Sequence, residues 1–375
     1  MKWIRCIRLW VPVLIMLAQP SAAEPGVQSN KLVIGTSLPL SGRLATMGTE
    51  LLRGMQLGVA QINGVGGRAV ELVAKDDLGQ PERAVANTRE LIAEGVFAMV
   101  GYAGSATIEA SLALIEEAGV PLIGVASSAE FLREPARPLV FNLRAGMREE
   151  VEAVVTQLDS MGITEIAAIS QDDALGRAVR EGMRDKLSLL GMRPVVQAQV
   201  PARHDDLAVR KSVESVCEDQ PHVIALLLDA TNALPALQHA RELKCTKQFY
   251  VMNEAATQLL ADGAAARELA GVIVPQVVPH PSSTLVPLVA DYARQAGLEG
   301  VKPSYLGLEG YLYARVFGEA LRRCGRVVSR RCLVASLEER SMNVGGYRVQ
   351  FSKTDHRGGR FIEMTFVTSD GRLRR

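Results

Sequence analysis

The chain has 375 residues, of which 48% are hydrophobic and 22% are charged. This is the composition of an ordinary globular protein, and the length exceeds one comfortable hydrophobic core, so we expect about two domains. The formal net charge of +1 argues against a nucleic-acid-binding surface, and no nucleic-acid partner is expected.

The N-terminus has the pattern of a secretory signal peptide. Basic residues precede a short apolar run, Leu9–Ala18, and small residues follow up to Ala23. The run is too short for a permanent membrane anchor. We therefore expect residues 1–23 to be removed and the mature protein to be exported to the periplasm.

Export changes how the cysteines are interpreted, because four of them remain in an oxidising compartment. Cys217 and Cys245 end successive predicted helices, whose ends would lie at the same edge of a parallel sheet. Cys324 and Cys332 flank a short turn between helices. We predict the pairs Cys217–Cys245 and Cys324–Cys332. The histidines show no metal-ligand spacing, and neither a metal nor a cofactor is expected.

Taken in order, apolar runs of strand length alternate with helical patterns. Such alternation predicts parallel sheets covered by helices on both faces, and two arrays in series predict two similar lobes. The predicted strands are Leu32–Leu38, Ala69–Ala74, Phe97–Val100, Leu122–Val125, Leu139–Leu143, Glu165–Ile169, Val195–Val200, Val223–Leu228, Phe249–Met252, Val272–Val274, Tyr347–Gln350 and Phe361–Val367. A Pro- and Ser-rich segment after Val277 is expected to cross between lobes.

Two adjacent Asp residues, Asp76 and Asp77, end the second strand. They could form a metal or acid–base site. A solvated strand end with a capping role is favoured, since no histidine or third carboxylate lies nearby in sequence. The chain also lacks a P-loop, an H-E-x-x-H motif and a G-x-S-x-G nucleophile elbow, so we do not expect an enzyme.

Two loops of small, hydroxyl-bearing residues follow successive strands at Gly101–Ser105 and Ala126–Ser128. The carboxyl ends of neighbouring parallel strands are where open α/β sheets bind ligands, and helix N-terminal N–H groups suit a carboxylate. The alternative is that Ser105, Thr107 and Ser128 only cap the helices expected after each loop. Two such loops side by side favour binding.

The ordered set of segments resembles the type I periplasmic solute-binding proteins of ABC importers, in the leucine/isoleucine/valine-binding branch. The resemblance covers nearly all of residues 31–367, and its pieces are KLVIGTSLPLSG, QINGVGGRAVELVAKDDLGQP, MVGYAGSATIEA, VPLIGVASSAE, VFNLRAG and AISQDDALG. It implies an α/β fold of two lobes joined by three hinge crossovers. The first lobe would comprise residues 31–145 and 279–359, and the second residues 146–278 and 360–375.

The resemblance also implies a ligand site in the cleft between the lobes. Ser105 matches the carboxylate-binding serine of the family, Ala126 a backbone carbonyl that faces the ligand amine, and Ser128 a neighbouring hydroxyl. The second lobe usually supplies an acidic residue to the amine. Glu254 is the candidate, with the alternative that Asn253 takes this position. Thr107 is included as a further ligand-binding residue of the first loop.

Departures from the family concern the ligand. Met47 and Leu175 stand where related clefts carry aromatic residues, and Asp229 adds a second anion. An aliphatic amino acid is the first choice, and an aromatic acid, an amide or a small peptide stays open. The expected partner is a membrane permease of an ABC importer. The alternative is a sensor of the same fold that reports to a kinase or regulator, and neighbouring genes would separate the two.

Overall fold

The computed structural model describes residues 24–62, 64, 67–133, 137–192, 196–263, 265–339 and 341–375, without the side chains of residues 174 and 175. The predicted signal peptide, residues 1–23, lies outside the described residues. Within the described ranges, no helix has the length and apolar character needed to cross a membrane.

The described strands form two large sheets and a hairpin. They are β1 (Lys31–Leu38), β2 (Ala69–Asp76), β3 (Ala98–Ala103), β4 (Leu122–Ala126), β5 (Val140–Phe141), β6 (Ile166–Asp172), β7 (Val196–Pro201), β8 (Val223–Leu227), β9 (Gln248–Val251), β10 (Ile273–Gln276), β11 (Met342–Val344), β12 (Tyr347–Val349), β13 (Glu363–Val367) and β14 (Leu373–Arg374). The first sheet has the order β2-β1-β3-β4-β5 and is parallel throughout.

The second sheet has the order β14-β13-β10-β9-β8-β6-β7. Strands β6 to β10 pair in parallel, whereas β13 runs antiparallel to both β10 and β14. The end of the chain therefore returns to the second sheet and extends its edge. The β11–β12 hairpin is antiparallel and stands apart from both sheets.

Helices cover both sheets, as the alternating pattern predicts. They are α1 (Ala45–Ala60), α2 (Pro81–Ala93), α3 (Ser105–Glu117), α4 (Met147–Ser160), α5 (Ala174–Leu189), α6 (Asp206–Glu218), α7 (Ala230–Glu242), α8 (Asn253–Ala261), α9 (Pro287–Leu298), α10 (Tyr305–Cys324) and α11 (Arg330–Glu339). Helices α1 and α10 approach so closely that a Cβ at Gly54 would collide with the carbonyl oxygen of Gly307.

The hydrophobic cores show which elements belong together. One core joins Ile34 of β1 and Phe97, directly before β3, to Tyr311 and Phe317 of α10, although more than 200 residues separate the two pairs in sequence. A second cluster covers the other face of that sheet, and two more lie on the faces of the second sheet. We call the first sheet with α1–α3 and α9–α11 the first lobe, and the second sheet with α4–α8 the second lobe. The predicted crossovers near residues 145, 278 and 360 remain a proposal about where the hinges lie.

All four remaining cysteines are bonded in the structure. Cys217 at the end of α6 is joined to Cys245, with 5.2 Å between their Cα atoms. Cys324 at the end of α10 is joined to Cys332 in α11, with a Cα separation of 5.8 Å. The first bond links α6 to the segment that follows α7, and the second links α10 to α11.

One feature of the local sequence interpretation is wrong, and one helix was not part of it. The helix expected after Ser128 is only a single turn, Glu130–Leu132. The carbonyls of Ser127 and Ala129 instead accept hydrogen bonds from the guanidinium of Arg133. Conversely, the sequence gives no capping signal for a helix after β9, yet α8 begins there at Asn253. Its N-cap residue offers no side-chain acceptor, so the usual start signal is missing.

The Asp76–Asp77 pair is also less solvated than expected. Asp77 is fully buried and accepts hydrogen bonds from the Ser37 hydroxyl and the Gly79 N–H. Burial raises the pKa of its carboxyl group. Asp76 accepts from the N–H groups of Leu40 and Leu78. The pair therefore ties together the loops that follow β1 and β2.

Candidate ligand-binding site

Strands β3 and β4 pair in parallel, with Ala103 opposite Ala126, so the loops at their carboxyl ends lie side by side. Helix α3 begins directly after β3, with Gly104 between them at a φ of +90°. This is a backbone conformation that glycine adopts without strain. The turn brings the free N–H groups at the start of α3 next to the loop that follows β4.

Ser105 does not cap its helix, so the capping interpretation is wrong for this residue. The start of α3 has no side-chain cap. The Ser105 hydroxyl instead donates to Glu254 Oε1 at 2.7 Å, and the Ser105 N–H reaches the same oxygen at 3.3 Å. The Thr107 hydroxyl is used within the helix, where it contacts the carbonyls of Ala103 and Gly104 at 2.6 and 2.8 Å.

The loop after β4 contributes its backbone. The Ser128 N–H donates to Glu254 Oε2 at 2.9 Å. Its hydroxyl turns away and donates to Glu150, so Ser128 does not present the hydroxyl that the resemblance implied. We call the Ser105 hydroxyl, the Ser105 N–H and the Ser128 N–H the anion cradle. The Ala126 carbonyl accepts from the Gly104 N–H at 3.3 Å, which holds the two loops together.

Ser127 is a site residue that the sequence interpretation missed. Its hydroxyl lies 2.6 Å from the Ser105 hydroxyl and also accepts from the Ala129 N–H. The only sequence signal was its place in a small hydroxyl-bearing loop, because its partner is 22 residues away. Ser127 therefore fixes the direction in which the Ser105 hydroxyl points.

Glu150 lies behind the cradle, in the first turns of α4, and is fully buried. Its two carboxyl oxygens accept from the Ser128 hydroxyl at 2.6 Å and from the Asn253 N–H at 2.9 Å. Burial raises its pKa from 4.5 to about 7, although the positive charge of Arg144 opposes this shift. One carboxyl group thus connects the cradle loop to the start of α8.

Asn253 is an anchor, and Glu254 is the residue that faces the cleft. The buried Asn253 amide donates to the Pro275 carbonyl at 2.9 Å, and its oxygen accepts from Arg144. Arg144 is itself buried and lies 3.4 Å from Glu309 of α10. Asn253 therefore fixes the start of α8, so that the following side chain points at the cradle of the first lobe.

A second buried arginine shapes the cradle loop. Arg133 donates to the carbonyls of Ala129 and Ser127 at 2.7 and 3.2 Å, and to those of Arg144 and Ala145 at 3.2 and 3.1 Å. Removing its guanidinium would leave buried carbonyls without donors, which is costly. Arg133 thus holds the cradle loop against the segment that leads into α4.

A cavity of about 720 Å³ opens in front of the cradle, between the lobes. Ser105, Thr107, Met47, Asp229 and Glu254 line it, whereas Ala126 and Ser128 are fully buried behind the surface. Leu175 lies in the first turn of α5, and its side chain is outside the described residues. The apolar wall comprises Pro39, Leu44, Met47, Phe131, Met147, Leu228 and Ala255.

The wall formed by the second lobe is acidic. Asp229 caps α7 and accepts from the Asn232 N–H at 2.9 Å, and Asp173 caps α5 in the same way through the Gly176 N–H at 2.8 Å. Burial raises the pKa of Asp229, with a smaller contribution from the negative charge of Asp173. No group of three or more His, Cys, Asp or Glu side chains suited to a metal ion occurs among the residues described, in this wall or outside it.

Comparison with known proteins agrees with this architecture. A family model described as periplasmic binding protein matches residues 31–372. The chain is 26% identical to Leu/Ile/Val-binding protein homolog 7 of Brucella suis, over 54% of this chain and 52% of the relative. It is 29% identical to an amino acid binding protein of Pseudomonas aeruginosa, over 48% of this chain and 50% of the relative. The chain thus spans about half the length of the curated relatives it matches.

A solved structure extends the likeness to the whole fold. The substrate-binding periplasmic protein of Ralstonia solanacearum aligns with a TM-score of 0.73 and 27% identity, over 91% of this chain and 99% of that one. In this chain, the likeness covers the two lobes, their parallel sheets and the cleft that both lobes line. The chain therefore belongs to the periplasmic binding protein family, in its type I, leucine/isoleucine/valine-binding branch.

Proposed function

We propose that this protein is an exported receptor that binds a small carboxylate-bearing solute, specifically an amino acid, in the cleft and delivers it to an ABC importer. It binds the solute without chemical turnover. Members of the family are periplasmic solute-binding proteins. We propose three points in addition to this family membership: the solute is an amino acid, an importer receives it, and a signal peptide is cleaved.

The observation that carries the proposal is the anion cradle. Its donors, supplied by Ser105 and Ser128, meet two oxygens of one carboxylate at 2.7 to 3.3 Å. That carboxylate belongs to Glu254, so the cradle has the size and donor pattern of a carboxylate site. The positive end of the α3 dipole adds to its preference for an anion. Hydrogen bonds to a charged group each contribute about 1.5–3 kcal/mol.

The rest of the cleft suits the other parts of an amino acid. The carboxylates of Asp173, Asp229 and Glu254 favour a cationic group such as an ammonium. The apolar side chains around Met47 and Phe131 offer surface for an aliphatic or aromatic side chain. The amino acid binding protein of Pseudomonas aeruginosa, which this chain resembles, supports the same choice.

A thermal-shift screen tests the ligand class. The purified mature protein is heated with each of the proteinogenic amino acids, their amides, their deamino acids and simple aromatic acids. At about 100 times its dissociation constant, a bound ligand stabilises the folded state by about 2.7 kcal/mol. Stabilisation by at least one amino acid supports the proposal. Stabilisation by none of them would overturn the amino acid assignment.

Delivery is tested in the cell of origin. Uptake of the identified amino acid, supplied with a radioactive label, should fall when the gene is deleted and recover when it is restored. Normal uptake in the deletion strain, together with a changed transcriptional response to that amino acid, would instead favour the sensor of the same fold.

A further inference from the structure

The anion cradle is already filled by the protein's own side chain. Glu254 Oε1 accepts from the Ser105 hydroxyl and N–H, and Glu254 Oε2 accepts from the Ser128 N–H. The cradle belongs to the first lobe and Glu254 to the second. A solute carboxylate therefore cannot use these donors until the Glu254 carboxylate has left them.

We propose that Glu254 determines specificity by competing within the molecule for the anion cradle, so that a solute is accepted only if it brings both a carboxylate and a cation. This inference rests on the proposed function and deepens it. The solute carboxylate replaces Glu254 in the cradle, and the solute cation then pairs with the released Glu254. An acid without a cation can do only the first.

The cost of releasing Glu254 explains the rejection of simple acids. Once displaced, its carboxylate loses the three donors and stays in a cavity that Asp229 and Asp173 also line. A carboxylate without hydrogen bonds, close to like charges, is unfavourable in such surroundings. An ammonium group of the solute removes this penalty. Discrimination thus comes from the unfavourable state of Glu254 that a solute without a cation would create.

The main chain next to Glu254 is held in place by the hydrogen bonds of Asn253. The backbone N–H of Asn253 donates a hydrogen bond to Glu150, and its side-chain NH₂ group donates to the Pro275 carbonyl. Its side-chain oxygen accepts from Arg144. Glu254 can therefore leave the cradle by turning its own side chain or by separation of the lobes. By either route, the group that competes with the solute is the Glu254 carboxylate. The competition should therefore respond to a substitution of Glu254 alone.

Acetate tests the competition directly, because it carries a carboxylate and no cation. Acetate binding is measured by ligand-observed NMR and by thermal shift, with sodium chloride matching the ionic strength. In Glu254→Ala the cradle is vacant, and acetate should bind at least about tenfold more tightly than to the wild type. Glu254→Gln keeps a neutral acceptor in the cradle and should give an intermediate result. Adding Ser105→Ala to Glu254→Ala should remove most of the gain.

The matched control is Glu117→Ala, which removes one exposed negative charge from the far end of α3. It should leave acetate binding at the wild-type level. Equal acetate binding in wild type and Glu254→Ala, or no acetate binding in Glu254→Ala, overturns the competition. The amino acid screen fails or succeeds separately: a solute that stabilises the wild type while acetate fails to distinguish the variants supports the proposed function and refutes this inference.

Discussion

Glu150 offers a test of the buried network that supports the cradle. The substitution is Glu150→Gln, which is close to isosteric. The amide oxygen of a glutamine can accept from the Asn253 N–H, and its NH₂ group can donate to the Ser128 hydroxyl. The variant therefore imitates the protonated form of Glu150 and keeps both connections seen in the structure.

The size of the effect follows from the pKa. Burial raises the pKa of Glu150 from 4.5 to about 7 in the folded protein, so the folded state binds this proton more tightly than the unfolded state. Its contribution to stability is fully present below pH 4.5 and is lost as the pH rises through about 7. A shift of this size corresponds to about 3 kcal/mol. The wild type should therefore become less stable than Glu150→Gln as the pH rises.

The assay is urea unfolding of the ligand-free protein, followed by circular dichroism between about pH 5 and about pH 8. The stability difference between the wild type and Glu150→Gln should change by up to about 3 kcal/mol across this range. The control is Glu152→Gln, which removes an exposed charge from the same helix and should change stability by less than about 1 kcal/mol. A constant difference between the wild type and Glu150→Gln would refute the assigned role of burial at this carboxyl group.

The remaining predictions concern binding, bonding and motion. Ser105→Ala should weaken binding of the identified amino acid by about 1.5–3 kcal/mol in calorimetry with little change in unfolding; unchanged affinity would exclude its role in the cradle. Peptide mapping without reductant should recover the pairs Cys217–Cys245 and Cys324–Cys332, and four free thiols would contradict both. Small-angle scattering should show a more compact protein at saturating amino acid. Only a closed cleft lets the amino acid contact the anion cradle of the first lobe and Glu254 of the second lobe at once. An unchanged radius of gyration would argue against closure.

Much of the fold could be predicted from the sequence because it rests on local patterns. Strand-length apolar runs alternate with helical periodicity, and this determines parallel sheets covered by helices. The mixed edge of the second sheet was harder, because β13 pairs with the distant strand β10, with Phe366 opposite Ile273, and β14 then pairs with β13. Helix α8 was missed since its N-cap is Met252, and a helix without a capping residue gives no local start signal.

The site divides in the same way. Ser105 and Glu254 could be proposed from the sequence, because each follows a recognisable strand. Ser105 lies in a segment that resembles the family, and Glu254 lies where the family usually has an acidic residue, with Asn253 as the alternative. The direct contact of Ser105 with Glu254 could not be foreseen, since 149 residues separate them. The supporting residues Glu150 and Arg133 have no signature in their own neighbourhoods, and Ser127 has only its place in a small hydroxyl-bearing loop.

Local sequence thus determined the strands, the loops and the residue types that a carboxylate site requires. Only the tertiary structure decided which donors meet which carboxylate. Hydrogen bonds in the cleft join residues that the two lobes bring together from distant parts of the chain, and burial alters the protonation of a group such as Glu150. Neither distance in space nor loss of solvent is encoded in the residues next to a side chain, so packing alone made these serines and acids into one site.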